Sequence, residues 1–226
     1  MRAFLIPLAL AGLCQAAHAD GISSAYTDLD SQKDCVTYAQ AEEGDGDWAE
    51  LACSGYRGYP VLIAYDDARE SLFYGFPPGG DMTTVWESFS GFNSSGAKVE
   101  WRIESKGDVA VPFAVIHRRS ISNPEDENKP TEVLLVAKVG QMEARDGCTI
   151  GLVLATGNPQ ANDQARKLAD EKAKSFACGK DKQAVIGDVP AFGRVDNLGL
   201  FALERPLCSV VGSCCPSLSC RTFLPV

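Results

Sequence analysis

Nine cysteines constrain this chain more than any other feature, because a disulfide joins only two residues that the fold brings close together. The first of them, Cys14, lies in an N-terminal segment with one early arginine, a short apolar run and the ending Ala17-His18-Ala19. This pattern is typical of a secretory signal peptide, and it predicts a leader over residues 1–19. The apolar run of about 11 residues is too short for a membrane anchor, which needs about 20.

Cleavage after Ala19 leaves eight cysteines, and an even number in an exported chain indicates disulfides. One pair follows from a hairpin. Residues 42–47 form a turn rich in Gly and Asp between two short strand-like segments. Cys35 and Cys53 lie equally far from Gly44 on either side of this turn. The spacing therefore predicts a disulfide across the two strands.

A second pair follows from the lengths of a strand and a helix. An apolar strand over residues 148–155 advances about 23 Å. A helix then begins near Asn158 and Pro159, and over residues 158–178 it returns about 28 Å. When the two elements pack antiparallel, the end of the helix comes back to the start of the strand. This return predicts a disulfide between Cys148 and Cys178.

The pattern of elements predicts an α+β fold, with one antiparallel sheet on which the helix at about residues 158–178 packs. Residues 20–34 have no clear period and are predicted to be an irregular acidic lead-in. We place a single domain at residues 20–187 and a cysteine-rich tail at 188–226. The pairing of the tail cysteines stays open; they are Cys208, Cys214, Cys215 and Cys220.

Charge excludes several kinds of partner. The whole chain has a formal net charge of −9, and residues 20–50 carry nine carboxylates and one lysine. Nucleic-acid binding needs clustered cations, so we expect no nucleic-acid partner. An anionic membrane surface is disfavoured for the same reason, and we expect no membrane association after the leader is removed. A cationic protein is a compatible partner, and plain solubility is the alternative explanation.

The sequence shows no catalytic, cofactor or metal motif. His117 is the one histidine outside the leader, and no Gly-x-Ser-x-Gly elbow accompanies it. The acidic run at 43–54 fails the calcium-loop pattern, because its glycine position holds Trp48 and its last position holds Ser54. We therefore expect no catalytic residue, no metal ion and no cofactor.

Aromatic residues are dense between residues 56 and 92. Beside loops they are able to form a partner surface, and the alternative is that they fill a β core. Residues 77–96 are predicted to be a loop rich in Gly, Pro, Ser and Thr. The residues proposed for the partner surface are Tyr56, Tyr59, Trp86, Phe89 and Phe92.

Four stretches resemble small exported proteins of alphaproteobacteria over about residues 26–187. They are Cys53-Ser-Gly-Tyr-Arg-Gly-Tyr-Pro-Val61, Glu100-Trp-Arg102, Pro112-Phe-Ala-Val-Ile116, and Ala161-Asn-Asp-Gln-Ala-Arg166 with Ala169-Asp170. The resemblance implies export and one α+β domain, and it implies no activity and no site. Ser90-Gly91 and Ser95-Gly96, before a strand with Trp101, are also similar to a loop of periplasmic lysozyme inhibitors, which plug a cationic enzyme.

These observations lead to a functional hypothesis. We expect a periplasmic or secreted protein that acts without catalysis, as a binding or structural module. The sharper version is an inhibitor of a basic enzyme of the cell envelope, acting through loop 77–96. The alternative is a hydrolase without a recognisable motif. A third class, a redox protein that uses the tail cysteines, would require reducible thiols.

Overall fold

The structure, a computed structural model, describes residues 20–78, 87–126 and 128–194. The predicted leader, Trp86 and the four tail cysteines lie outside these residues. Within them, one α-helix and twelve strands follow in chain order. They are β1 (Gly21–Asp28), β2 (Cys35–Gln40), β3 (Trp48–Cys53), β4 (Val61–Asp66), β5 (Arg69–Tyr74), β6 (Glu87–Phe89), β7 (Asn93–Lys106), β8 (Val109–Ile121), β9 (Thr131–Lys138), β10 (Cys148–Leu154), α1 (Ala161–Lys172), β11 (Ala184–Ile186) and β12 (Phe192–Arg194).

The strands form two main sheets and one short ribbon. Sheet A has six strands in the order β1-β7-β8-β9-β10-β11, and sheet B has four in the order β2-β3-β4-β5. All pairs in the two sheets are antiparallel except β10 with β11. Strands β6 and β12 pair separately. The predicted α+β class, with a mainly antiparallel sheet and one main helix packed on it, is confirmed.

Sheet A lies between two layers. On one face, α1 packs against a cluster that includes Ile116, Val136 and Val153. On the other face, Trp101 and its neighbours pack against the inner side of sheet B. Where the two sheets cross, Gly75 and Gly140 form a backbone bridge, and a Cβ on Gly75 would lie 2.3 Å from the Gly140 carbonyl. Only glycine permits this approach, so the crossing point is specified by residue type.

Both predicted disulfides are confirmed. Cys35 and Cys53 stand opposite each other on β2 and β3, with their Cα atoms 3.9 Å apart. Cys148 begins β10 and joins Cys178, which follows α1, at a Cα distance of 5.8 Å. The hairpin and the strand–helix return could therefore both be predicted from the spacing of the cysteines.

The prediction for residues 20–34 was wrong. Residues Gly21–Asp28 form β1, an edge strand that pairs with β7 from Gly21↔Ser105 to Asp28↔Lys98. Its polar side chains show no apolar pattern from which a strand could be predicted. They form hydrogen bonds across the sheet instead. Ser24 donates to Glu100, and Thr27 accepts a hydrogen bond from the Trp101 indole at 2.9 Å. A strand of this kind needs no regular apolar alternation.

Helix α1 is shorter than the predicted helix at 158–178. Asn158 lies before its start, where its side chain accepts the Gln160 amide and donates to Leu154 and Gln164. These bonds build a turn and delay the helix to Ala161. At the other end Phe176 still donates its amide to Lys172, so one further turn leads towards Cys178.

The described fold also extends past the predicted domain boundary at residue 187. Strand β12 pairs with β6, and Val189 and Phe192 pack against the core between the sheets. The Phe192 ring lies 4.9 Å from the Phe89 ring. Strands of three residues are too short to show a hydrophobic period, so no sequence pattern predicted them.

Candidate functional site

The outer side of β2 and β3 carries two exposed aromatic side chains, Tyr38 and Trp48. Along β3, Leu51 and Cys53 alternate towards the core, so Trp48, Glu50 and Ala52 lie on the opposite side. Val36 pairs with Ala52 and adds its side chain to the same side. We call this surface the aromatic face; it comprises Val36, Tyr38, Trp48, Glu50 and Ala52.

The apolar and aromatic side chains of the aromatic face are more exposed than side chains of these types usually are. Val36 is 71% exposed, Tyr38 41% and Trp48 37%. A β-bulge lies between Thr37 and Ala39, and Tyr38 is the extra residue. The bulge places Tyr38 opposite the step from Glu50 to Leu51 on β3. Burial, and then the charge of Glu50, raise the pKa of Tyr38.

Carboxylates surround one end of the aromatic face. The β2–β3 turn and the Asp67-Ala68 turn lie at the same end of sheet B, and the Asp67 amide donates to the Asp47 carbonyl at 3.2 Å. Arg69 pairs with Asp67. In the described part of the chain, no ion pair involves the other carboxylates at this end, which are Glu42, Glu43, Asp45, Asp47, Glu50 and Asp66.

A concave region elsewhere in the fold is a cleft of about 460 Å³ beside the second disulfide. Its walls are mostly apolar, with Phe73 and the Cys148–Cys178 bridge among them. Burial raises the pKa of Glu87, which the Thr149 hydroxyl and Arg194 partly offset. Among the described residues of this lining, Glu87 is the one carboxylate. The described part of this lining thus does not bring together the two close carboxylates on which a glycosidase-type hydrolase depends.

His117 is buried in the core between the sheets and has both ring nitrogens engaged. Nε2 donates to the Gly96 carbonyl at 2.6 Å, so Nδ1 is the acceptor for the Tyr74 hydroxyl at 2.8 Å. Burial lowers the pKa of His117 to about 4, and the hydrogen bond to Gly96 opposes this only in part. Burial also raises the pKa of Tyr74. His117 is therefore a neutral structural residue whose nitrogens contact no serine.

This environment predicts acid sensitivity. In the unfolded chain His117 takes up a proton near its ordinary pKa of 6.5, whereas the folded protein resists protonation down to about pH 4. Stability present above pH 6.5 is thus lost as the pH falls through this window, by up to about 3 kcal/mol. We expect His117→Gln, which is able to keep both hydrogen bonds but does not titrate, to remove this part of the slope. Urea unfolding of both proteins at pH 7, 6, 5 and 4 measures it; parallel curves would contradict the assignment.

The predicted partner surface is divided by the fold. Phe89 is fully buried against Phe192, so its assignment to an accessible surface was wrong. Tyr56 and Tyr59 are half-buried; the Tyr56 ring lies 6.3 Å from that of Trp101, and the Tyr59 hydroxyl donates to Gln141 at 2.9 Å. Phe92 is 55% exposed, and Trp86 lies outside the described residues.

The predicted loop 77–96 is also interrupted by structure. Strand β6 occupies part of it, and β7 begins at Asn93. Ser95 and Gly96 therefore belong to a strand: the Ser95 amide donates to Glu70, and the Gly96 carbonyl accepts from His117. The similarity to a lysozyme-inhibitor loop does not extend to the conformation of this dipeptide.

Residues 20–78, 87–126 and 128–194 contain no group of three or more His, Cys, Asp or Glu side chains placed to hold a metal ion. None of their helices combines the length and apolar character that crossing a bilayer requires.

Three comparisons with known proteins complete the description. No protein-family model, no curated protein and no solved structure matches this chain.

Proposed function

We propose that this chain is an exported, non-enzymatic binding module for a cationic protein, and that a basic enzyme of the cell envelope is the partner class. The observation that carries the proposal is the acidic end of sheet B, where six carboxylates that form no ion pair with any described residue lie at the same end as exposed Trp48. Such a surface attracts a cationic partner over about a Debye length and offers it apolar contact area on arrival.

Three further features support the proposal. The leader pattern and two intramolecular disulfides are typical of proteins that fold in an oxidising compartment, so we propose the periplasm or the exterior as the location. The buried His117 is engaged on both nitrogens and so is not free to act as a general base. The cleft beside the disulfide carries a single carboxylate among its described residues.

The experiment uses the oxidised protein purified from the periplasm, whose N-terminal sequence also tests cleavage after Ala19. Its binding to c-type lysozyme, as a basic envelope-directed enzyme, is measured by calorimetry, with cytochrome c as an equally basic control. We expect lysozyme to bind with a Kd on the order of 1–10 µM at low salt, and at least about tenfold more weakly in 0.3 M NaCl. Lysis of cell walls should slow in proportion to the bound fraction.

Two outcomes would overturn the proposal. One is the absence of binding to lysozyme and to a panel of other basic envelope hydrolases at micromolar excess. The other is turnover by the purified protein in broad profiling of hydrolase substrates. Equal binding of cytochrome c and lysozyme would show that charge alone determines the affinity, and would contradict an envelope enzyme as the specific partner.

A further inference from the structure

We infer that the strip Tyr38–Glu50–Trp48 on the aromatic face is a subsite for one arginine side chain of the cationic partner. The inference rests on the proposed function and goes further, because it names the surface, the residues and the chemical group that they receive. It also moves the binding surface from the predicted loop 77–96 to the outer side of sheet B.

The Glu50 carboxylate supplies the negative charge of the proposed subsite. Glu50 is half-buried, and none of the ion pairs among the described residues includes it. Its charge contributes to raising the pKa of the neighbouring Tyr38, and a carboxylate has about four acceptor sites. A half-buried carboxylate without an ion pair gains more from a cationic donor than a fully hydrated one does. Glu50 therefore favours a ligand group that is positively charged and rich in N–H donors.

The second step concerns the aromatic rings. Trp48 and Glu50 stand two residues apart on β3, so both belong to the same side of the sheet. Tyr38 lies on β2, at the bulge opposite the step from Glu50 to Leu51. Glu50 therefore has one aromatic neighbour on its own strand and another on β2. A planar guanidinium stacks on an indole and donates two parallel hydrogen bonds to a carboxylate, whereas an ammonium ion has neither property.

The aromatic face of sheet B, and not its edge strand, is the docking element. Strand β2 is an edge strand of sheet B, but it is short and bulged at Tyr38. Both features disfavour the addition of a further strand. Ala52 and Ala64 have small side chains, so the centre of this face leaves room for a side chain of the partner to lie flat against it.

The fourth step concerns alternative occupants. A second copy of this chain would bring another acidic surface against Glu42, Glu43 and Asp45, since the net charge is −9. Nucleic acid is repelled for the same reason. A metal ion would require more carboxylates around one point than this part of the chain assembles. A cationic protein segment is the occupant that the charges favour.

The test compares peptide probes on the intact oxidised protein. Hexa-arginine, hexalysine and spermine are titrated by calorimetry and by tryptophan fluorescence at about 50 mM salt. We expect hexa-arginine to bind at least about fivefold more tightly than hexalysine and to change the fluorescence of Trp48. Trp48→Ala and Glu50→Gln should each weaken hexa-arginine about tenfold, and should reduce its preference over hexalysine to near unity.

Matched controls separate the subsite from charge alone. Glu171→Gln removes the same charge from α1, which packs on the opposite face of sheet A, and Phe92→Ala removes an exposed aromatic residue of the predicted loop surface. Both should leave the affinities within about twofold. Circular dichroism and thermal unfolding of each variant confirm that it is folded.

The outcomes distinguish the inference from the proposed function. If the wild-type protein binds lysozyme but Trp48→Ala and Glu50→Gln bind it and hexa-arginine normally, the subsite is wrong and the proposed function stands. If Phe92→Ala weakens binding instead, the loop surface is the correct one. Equal affinities for the two peptides would also overturn the subsite. A wild-type protein that binds no basic protein overturns the proposed function itself.

Discussion

Asp170→Ala is expected to lower the free energy of unfolding by about 3–5 kcal/mol, because it leaves a buried guanidinium without its main partner. The Arg102 side chain is 9% exposed, and it donates from Nε and NH2 to the two oxygens of Asp170 at 2.8 and 2.7 Å. Glu100 lies 3.9 Å away but also pairs with Arg166. Urea unfolding monitored by circular dichroism measures the loss.

Two comparisons make this prediction specific. Asp163→Ala removes an exposed carboxylate from the same helix, 3.5 Å from Arg166, and should change the stability by less than about 0.5 kcal/mol. The double replacement Arg102→Met with Asp170→Leu should be milder than Asp170→Ala, since no buried charge loses its main partner and Glu100 keeps Arg166. If Asp170→Ala and Asp163→Ala had equal effects, the helix–sheet ion pair would not be a structural element.

The second large effect concerns the disulfide between Cys148 and Cys178. Replacing both by alanine should lower the free energy of unfolding by about 3–4 kcal/mol, because the bridge closes a loop with a sequence separation of 30 and restricts the unfolded chain. The turn after α1 should also loosen, since the bridge ties it to the start of β10. Hydrogen exchange of residues 173–181 reports this local change, and urea unfolding reports the global one.

The other bridge provides the comparison. Cys35 and Cys53 close a shorter loop, with a separation of 18, so their replacement should cost a few tenths of a kcal/mol less in chain entropy. Its local effect should appear in the β2–β3 hairpin and leave residues 173–181 protected. Faster exchange at the helix end in both variants would mean that neither bridge acts locally.

Much of the fold could be predicted because several of its determinants are local. The hairpin between β2 and β3 has its turn residues, its strands and its disulfide within one short stretch. Strands β8, β9 and β10 are apolar enough to be recognised alone. The return of α1 to Cys148 follows from element lengths, which depend on backbone geometry and not on distant partners.

The remainder depended on long-range pairing. Glu100 and Arg102 alternate with Trp101, a pattern typical of a strand with one face open to solvent, yet both are buried. Their partners Arg166 and Asp170 come from a helix 66 and 68 residues later in the chain. A charged residue gives no sign in its own sequence neighbourhood that an opposite charge will cover it.

Only part of the candidate site could be predicted from the sequence. Aromatic density between residues 56 and 92 correctly indicated packing, but Phe89 was assigned to the surface and is buried. The alternation of Trp48 and Glu50 with Leu51 and Cys53 was available as a signal for an outward aromatic side chain. The position of Tyr38 was not, because a bulge moves a side chain without any change in composition.

Strand β1 has a consequence for the order of folding. Thr27 on β1 and Trp101 on β7 are 74 residues apart in the chain, yet they are hydrogen-bonded neighbours. During synthesis or translocation the first strand to emerge therefore has no partner until β7 follows it, whereas β7 and β8 join through a short turn. Local pairs close before distant ones, because loop closure costs entropy. Sheet A is thus expected to assemble from its middle outward and to receive its N-terminal edge late.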